Sequence, residues 1–165
     1  MTPQQAWQPP TQFEFKANCD AALFPSHNTT SIGVIIRDGH GLPIVALCKR
    51  FHCLHVVDDA EAIAVQLARD VGLTKVEVEG DSLVIFQALE QQDVCFASYG
   101  DIIQDVHQVA SSLDRVGFSH VCRHGNRVAH VLARNGLTLS SDFLVWLEDV
   151  PPFLEDVIQS EISPV

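Results

Sequence analysis

Three carboxylates stand at points where the residue pattern changes, which is where chemistry is most easily built. Asp20 lies within or at the end of a run in which Phe13, Phe15 and Ala17 alternate with Glu14, Lys16 and Asn18, the period-two signature of a half-buried strand. Asp81 closes a second alternation over residues 74–80, with Val76 and Val78 set against Lys75, Glu77 and Glu79. Glu61 falls in the first turn of a helix marked by Ala60, Ile63, Ala64, Leu67, Ala68 and Val71, a spacing that turns one apolar face to a core. In a mixed sheet whose first and fourth strands are neighbours, the three acids can converge on one patch. Carboxylates that close repel, and one stays protonated unless a cation neutralises the group. Mg²⁺ takes carboxylate oxygens together with water and substrate phosphate, and two such ions about 3.5–4 Å apart can activate water and stabilise the leaving oxygen of a phosphodiester. Taken singly, each acid also has a plainer use: an Asp caps the element that follows it, and a Glu in a first turn complements the helix dipole.

Two other groupings could carry chemistry. Cys48, His52, Cys53 and His55 are close in sequence, and Cys122 with His124 could join them around zinc, but no second Cys or His pair follows at the usual finger spacing. Small buried hydrophobes are the commoner use of such cysteines. Residues 115–134 hold Arg115, Arg123, Arg127 and Arg134 with no Asp or Glu, whereas residues 135–165 hold six acids and no Lys or Arg. Arg115 and Arg134 suit helix C-termini, which leaves Arg123 and Arg127 as the better candidates for a phosphate chain.

The elements that must position these residues follow in order. After the strand at Phe13 comes a polar loop over 25–30, then two β-branched runs flanking Asp38-Gly39-His40-Gly41, a hairpin composition. Asp58 and Asp59 offer an N-cap for the helix bearing Glu61, and Gly72 stops it. The strand over 74–80 is followed by a short helix from Ser82. A longer amphipathic helix spans Tyr99 to Val116, then a strand from Phe118 to Cys122, and a helix from about Asn126 with Val128, Val131 and Leu132 inward. The order β-β-β-α-β-α-α-β-α predicts an α/β fold, a mixed five-stranded sheet with helices on both faces. Residues 1–12, with Pro3, Pro9 and Pro10, read as an extended arm that Trp7 could tack down. Residues 13–137 form the domain, and 138–165 an acidic appendage packed on or beside it, broken at Pro151-Pro152 and holding a turn or two of helix.

Composition narrows the function classes. At 165 residues and 47% hydrophobic content the chain has enough apolar surface for one domain's core. No apolar run approaches a membrane span, and the opening MTPQQAWQPP has neither the basic nor the apolar region of a secretory signal. Five scattered cysteines suit a reducing compartment, so the expectation is a non-secreted protein of cytoplasm or nucleus. A net charge of −11 excludes grip on nucleic acid through a broad basic face, so any such contact must be local.

Four ordered blocks, KANCDAA at 16–22, DDAEAIAVQLA at 58–68, VEVEGDSLVIFQAL at 76–89 and RHGNRVAHVLAR at 123–134, resemble the ribonuclease H type 1 domain, in the plant branch related to retroelement reverse-transcriptase polyproteins. The similarity covers roughly residues 13–137. The resemblance implies an endoribonuclease cleaving the RNA strand of an RNA/DNA hybrid by a two-metal-ion mechanism with Mg²⁺ or Mn²⁺. It implies Asp20, Glu61 and Asp81 as catalytic metal ligands, Asp20 bridging both ions. His130 stands where the family has its fourth carboxylate, His124 matches a loop histidine tied to product release or proton transfer, and Arg123, Asn126 and Arg127 fall where nucleic acid is met.

Two departures bear on activity. Imidazole is a poorer partner for Mg²⁺ than for Zn²⁺ or Mn²⁺, so His130 bears on occupancy of the second metal position. The bacterial family's basic clamp is also missing: between Asp81 and the last helix only Arg115 and Arg123 are fixed cations, beside Glu90, Asp93, Asp101, Asp105 and Asp114. Hybrid binding is therefore expected to be weak and salt-sensitive unless a partner protein or domain adds contacts. The alternative to a nuclease is a domesticated module that keeps the fold and the acidic pocket for binding nucleic acid or protein.

Overall fold

The computed structural model describes residues 6–54, 59–91 and 100–162. Its strands are β1 (Phe15–Phe24), β2 (Thr29–Asp38), β3 (Pro43–Phe51), β4 (Lys75–Gly80), β5 (Arg115–His120) and β6 (Phe143–Leu147). The helices are α1 (Ala60–Asp70), α2 (Leu83–Gln91), α3 (Gly100–Ala110), α4 (Arg127–Arg134) and α5 (Pro152–Ile162). The strands form one six-stranded sheet in the order β5-β4-β1-β2-β3-β6. β4 and β5 run parallel in sequence beside β1, while β1, β2, β3 and β6 are joined antiparallel. The first and fourth strands are thus neighbours, Asn18 opposite Glu79.

Local chemistry explains the turns. Asp38 Oδ1 accepts the amide N–H groups of His40 and Leu42 at 2.8 and 3.0 Å and closes the β2–β3 hairpin. At the end of α1, Gly72 takes φ +83°, the Leu73 amide donates to the Ala68 carbonyl and the Gly72 amide to Arg69, a Schellman stop that a β-carbon would oppose. Asp59 sits at the N-cap of α1 without a side-chain capping bond; Asp58 lies outside the described residues.

Both sheet faces are covered. Ala17, Cys19, Ile32, Val34, Val45, Val76 and Val78 pack under α1, α2 and α3, and Ile35, Ala46 and Cys48 under α4 and α5. Helices on both faces are as expected, but four expectations differ from the structure. The polar face of β1 is not in water: Lys16 and Asn18 are buried. Asn18 donates to Glu79 at 2.9 Å and to Asn126 at 3.1 Å, and Trp7 Nε1 donates to Asn18 at 3.0 Å. Period two was right, but a central strand has no solvated side. The long helix ends at Ala110 rather than Val116, with Ser111 and Ser112 hydroxyls bonded back to Gln108 and Val109 carbonyls, and β5 begins at Arg115 rather than Phe118 because it pairs with β4 from Lys75 onward.

A further difference concerns residues 138–165, read from the sequence as an acidic appendage packed on or beside the domain with a turn or two of helix and no strand. Phe143–Leu147 pair antiparallel with β3 and make the sheet six-stranded rather than five-stranded. Pro152 opens α5, where its missing N–H costs nothing. That helix buries Leu154 and Ile158 against the sheet and places Glu161 on Arg37, at 2.6 Å, with both side chains under 5% exposed. The Arg37 guanidinium stacks on Trp7, 3.9 Å from the ring centroid, so the arm is anchored. No helix among the described residues is long and apolar enough to cross a membrane.

Candidate active site

Asp20 lies in mid-β1 on the face covered by α4, directly opposite Gly33 of β2. A β-carbon on Gly33 would come within 2.7 Å of the Ala133 nitrogen and 2.8 Å of the Ala129 carbonyl oxygen. The glycine therefore lets α4 approach the sheet closely enough for His130 Nδ1 to reach Asp20 Oδ2 at 2.8 Å. Asp81 follows the last residue of β4, and Glu61, only 4% exposed, projects from the first turn of α1. Together with Cys19, Ala21, Ala60 and Ser82 the three acids line one cleft of about 110 Å³. Elements far apart in sequence thus bring Asp20, Glu61 and Asp81 to one place.

The electrostatics carry the mark of that convergence. Burial, then the charge of Asp81, pushes the Asp20 carboxyl above its usual range, against the His130 hydrogen bond, the Ala21 amide and the charge of Arg123. The Cys19 thiol is pushed well up by burial and by Glu61, Asp20, Asp81 and Glu79 in turn, as expected for an inert thiol set among carboxylates. Positive charge enters from the rim. Arg123 Nε donates to Asp81 Oδ2 at 2.5 Å, and its Nη1 lies 3.3 Å from His130 Nε2. The bond to Asp81 raises the Arg123 pKa.

The donor set can be tested for a divalent cation. Carboxylate oxygens from three elements facing one small cleft are the ligands a hard ion takes, and the mutual repulsion felt by Asp20 is what such an ion relieves. The residues fit in type, and all three line the cleft. Among the described residues, however, no three His, Cys, Asp or Glu side chains are gathered closely enough to hold an ion as they stand; Asp81 and Asp20 are engaged instead by Arg123 and His130.

The remaining candidates separate. Asn126 is 1% exposed, donates to the Cys19 carbonyl at 3.0 Å and accepts from Asn18. It pins the turn ahead of α4 to β1, so its expected contact with nucleic acid is corrected to a positioning role. His124 and Arg127 are exposed, on the turn Arg123–Asn126 and at the start of α4. Arg115 donates to the Gln12 carbonyl and stacks over Phe13 rather than closing a helix, and Arg134 lies over Phe24. Zinc ligation is not built among the described residues: Cys48 is buried 3.3 Å from Ser31 Oγ, His52 bonds Asp142 at 2.9 Å, and His55 lies outside the described residues. Sequence reasoning missed the buried layer of Lys16, Asn18, Glu79 and Asn126 that holds the floor of the site. The polar residues on the second face of β1 were the available signal.

Comparison with known proteins places the chain in a family. The reverse transcriptase-like family matches residues 18–136, and no curated protein sequence matches. Solved structures share the fold at low identity. RNase H1 of the archaeon Halobacterium salinarum aligns at 20% identity over 75% of this chain and 97% of its own, with TM-score 0.67. The N-terminal RNase H domain of a Mycobacterium tuberculosis protein, solved as a fusion with maltose-binding protein, aligns at 14% identity over 77% and 95%, TM-score 0.66. LC11-RNase H1, isolated from compost by a metagenomic approach, aligns in its complex with an RNA/DNA hybrid at 18% over 73% and 94%, TM-score 0.63. With its mixed sheet, its helices on both faces and a family match running from β1 to the end of α4, the chain belongs to the reverse transcriptase-like family and has the ribonuclease H fold.

Proposed function

We propose that the protein is an endoribonuclease that cleaves the RNA strand of an RNA/DNA hybrid with the help of two divalent ions, Mg²⁺ or Mn²⁺. The observation that carries this reading is the convergence of Asp20, Glu61 and Asp81 on one cleft within a fold that LC11-RNase H1 also uses to hold a hybrid. Asp20, Glu61, Asp81 and His130 would hold the ions, which when bound supply Lewis acidity at the scissile phosphate and a more acidic water. The chain's own residues do the rest. Asp20 is fixed in orientation by the bond from His130 Nδ1 and by the Ala21 amide, so its carboxylate is presented without reorganisation. Exposed Arg127, and Arg123 on the adjoining turn, meet the phosphate chain, while His124 stands on the same turn to exchange a proton with solvent.

With Arg115 and Arg134 turned to aromatic rings, few cations remain for the hybrid, so binding should weaken steeply with salt and a partner protein or domain would raise affinity. Descent from a plant retroelement polyprotein belongs to the same reading. The engagement of Asp81 by Arg123 and of Asp20 by His130 favours the alternative, a module that binds without cleaving. Incubating a labelled hybrid with the purified protein and either metal separates the two. Cleavage lost in Asp20→Asn supports the nuclease, and an intact hybrid at high protein concentration refutes it. If His130 ligates, Mn²⁺ outperforms Mg²⁺ and His130→Asp narrows the gap; an unchanged preference removes His130 from the ligand set.

A further inference from the structure

Two acids of the cleft, Asp81 and Asp20, are bridged by a continuous chain of contacts. Asp81 Oδ2 accepts from Arg123 Nε at 2.5 Å, Arg123 Nη1 lies 3.3 Å from His130 Nε2, and His130 Nδ1 lies 2.8 Å from Asp20 Oδ2. A guanidinium can only donate, so His130 Nε2 must accept and the ring proton sits on Nδ1, donated to Asp20. Asp81 is mostly buried at 17% side-chain exposure while Arg123 is 59% exposed: the anion is fixed in the floor and the cation reaches in from outside. Arg123 also belongs to a short turn rather than to the sheet or a long helix, so it can withdraw without exposing core.

We infer that Arg123 is the resident counter-ion of the cleft, occupying Asp81 until a divalent cation displaces it. This rests on the reading of Asp20 and Asp81 as metal ligands. Arg123 Nε sits on Asp81 Oδ2, and a divalent ion brought to that same oxygen in a small, partly desolvated cleft would meet the guanidinium charge at contact distance, so the metal must break the Arg123–Asp81 bond before that oxygen can serve it. The cost of breaking that bond is subtracted from metal affinity, and His130 loses its Nε2 donor at the same moment, leaving that nitrogen open to the metal. Arg123 thereby acts as a threshold on metal loading, distinct from any contact it makes with nucleic acid.

The test is metal affinity, independent of turnover. Mn²⁺ binding to the full chain is measured by calorimetry and by the electron paramagnetic resonance of free Mn²⁺, for the wild type, Arg123→Ala and Arg123→Lys. Arg127→Ala removes the same charge from a neighbouring exposed position. Arg123→Ala is expected to tighten Mn²⁺ binding about ten-fold, the scale of one charge-assisted hydrogen bond. Arg123→Lys, which keeps the charge without the fork, should lie between, and Arg127→Ala should match wild type within about two-fold, as for a screened surface charge. Equal affinity of wild type and Arg123→Ala overturns the inference while leaving the metal site standing, as does an equal gain from Arg127→Ala. Absence of Mn²⁺ binding in every variant overturns both this inference and the metal-dependent reading. In the diamagnetic arm, Mg²⁺ should shift and speed the exchange of the Arg123 Nε–H resonance; a resonance that Mg²⁺ leaves unmoved also counts against displacement.

Discussion

Replacing Glu161 by Gln is expected to destabilise the fold out of proportion to the position of the residue near the end of the last helix. The substitution keeps shape and a hydrogen-bond acceptor and removes only charge. Its partner Arg37 has a fully buried side chain, with Glu161 Oε2 2.6 Å from Nη1, the Trp7 ring 3.9 Å away and Asn18 Oδ1 3.4 Å from Nη2. Burial lowers the guanidinium pKa, and Glu161 opposes that first by its charge and then by its hydrogen bond, with Glu79 adding a smaller charge effect. Breaking a buried pair by removing one partner costs about 3–5 kcal/mol. Because Glu79 and the Trp7 face still offer the cation something, the lower end, about 3 kcal/mol, is expected, a large share of a domain's usual margin of about 5–15 kcal/mol. Arg37 Nε and Glu161 Oε1 are both buried without a hydrogen-bond partner, so the pair is imperfectly satisfied. The double replacement Arg37→Met with Glu161→Leu should therefore recover most of the loss or exceed wild type. Urea unfolding followed by tryptophan fluorescence and by circular dichroism gives the three unfolding free energies to be compared. A loss below about 1 kcal/mol for Glu161→Gln, the scale of an exposed pair, would refute the claim that this arginine depends on that glutamate.

Further outcomes follow from the site. Asp20→Asn should reduce hybrid cleavage by about 100-fold or more, the scale on which single positioned groups act. The same change should raise the melting temperature at neutral pH. The folded protein holds Asp20 above its usual pKa, so the wild type has full stability only below the ordinary carboxylate range and loses it as pH rises through the raised value. The gain should vanish in acid, and a variant that melts lower at neutral pH would contradict it. Gly33→Ala should cost about 1–3 kcal/mol by forcing α4 off β2 and should lower cleavage by moving His130 from Asp20; unchanged melting and activity would show that the helix is not held by that contact. Asp142 is held below its usual range by His52 and then Arg50, so its contribution is present above the ordinary carboxylate pKa and lost as pH falls through the lowered one. Asp142→Asn should accelerate amide exchange of β6 at neutral pH but not in strong acid, and equal exchange at both would count against it.

The sequence announced some of this and hid the rest for identifiable reasons. Asp20, Glu61 and Asp81 were legible because each sits on or beside a regular element whose period could be counted. The Arg123–Asp81 and His130–Asp20 pairs join residues 42 and 110 positions apart, and no local pattern encodes which charges meet at that distance. β6 was missed because its outward residues, Phe143, Val145 and Leu147, are as apolar as the inward Leu144 and Trp146, which erases the alternation by which a strand is recognised. The start of β5 depended on where β4 offered a partner, a tertiary decision taken over the residues Arg115, Val116 and Gly117.

The meeting of the amino-terminal arm and the carboxy-terminal helix has a topological consequence. Trp7 and Ile162 both lie against the hairpin at Gly41, within 3.4 Å and 3.0 Å of the β-carbon a larger residue would carry there. Residues 7 and 162 therefore meet at a single corner, the geometry that permits the segment between them to be spliced into the loop of a host protein or recut at a new opening with residues 7 and 162 linked. The corner is set by Arg37 rather than by the acidic cleft, so such rewiring would leave the chemistry where it is.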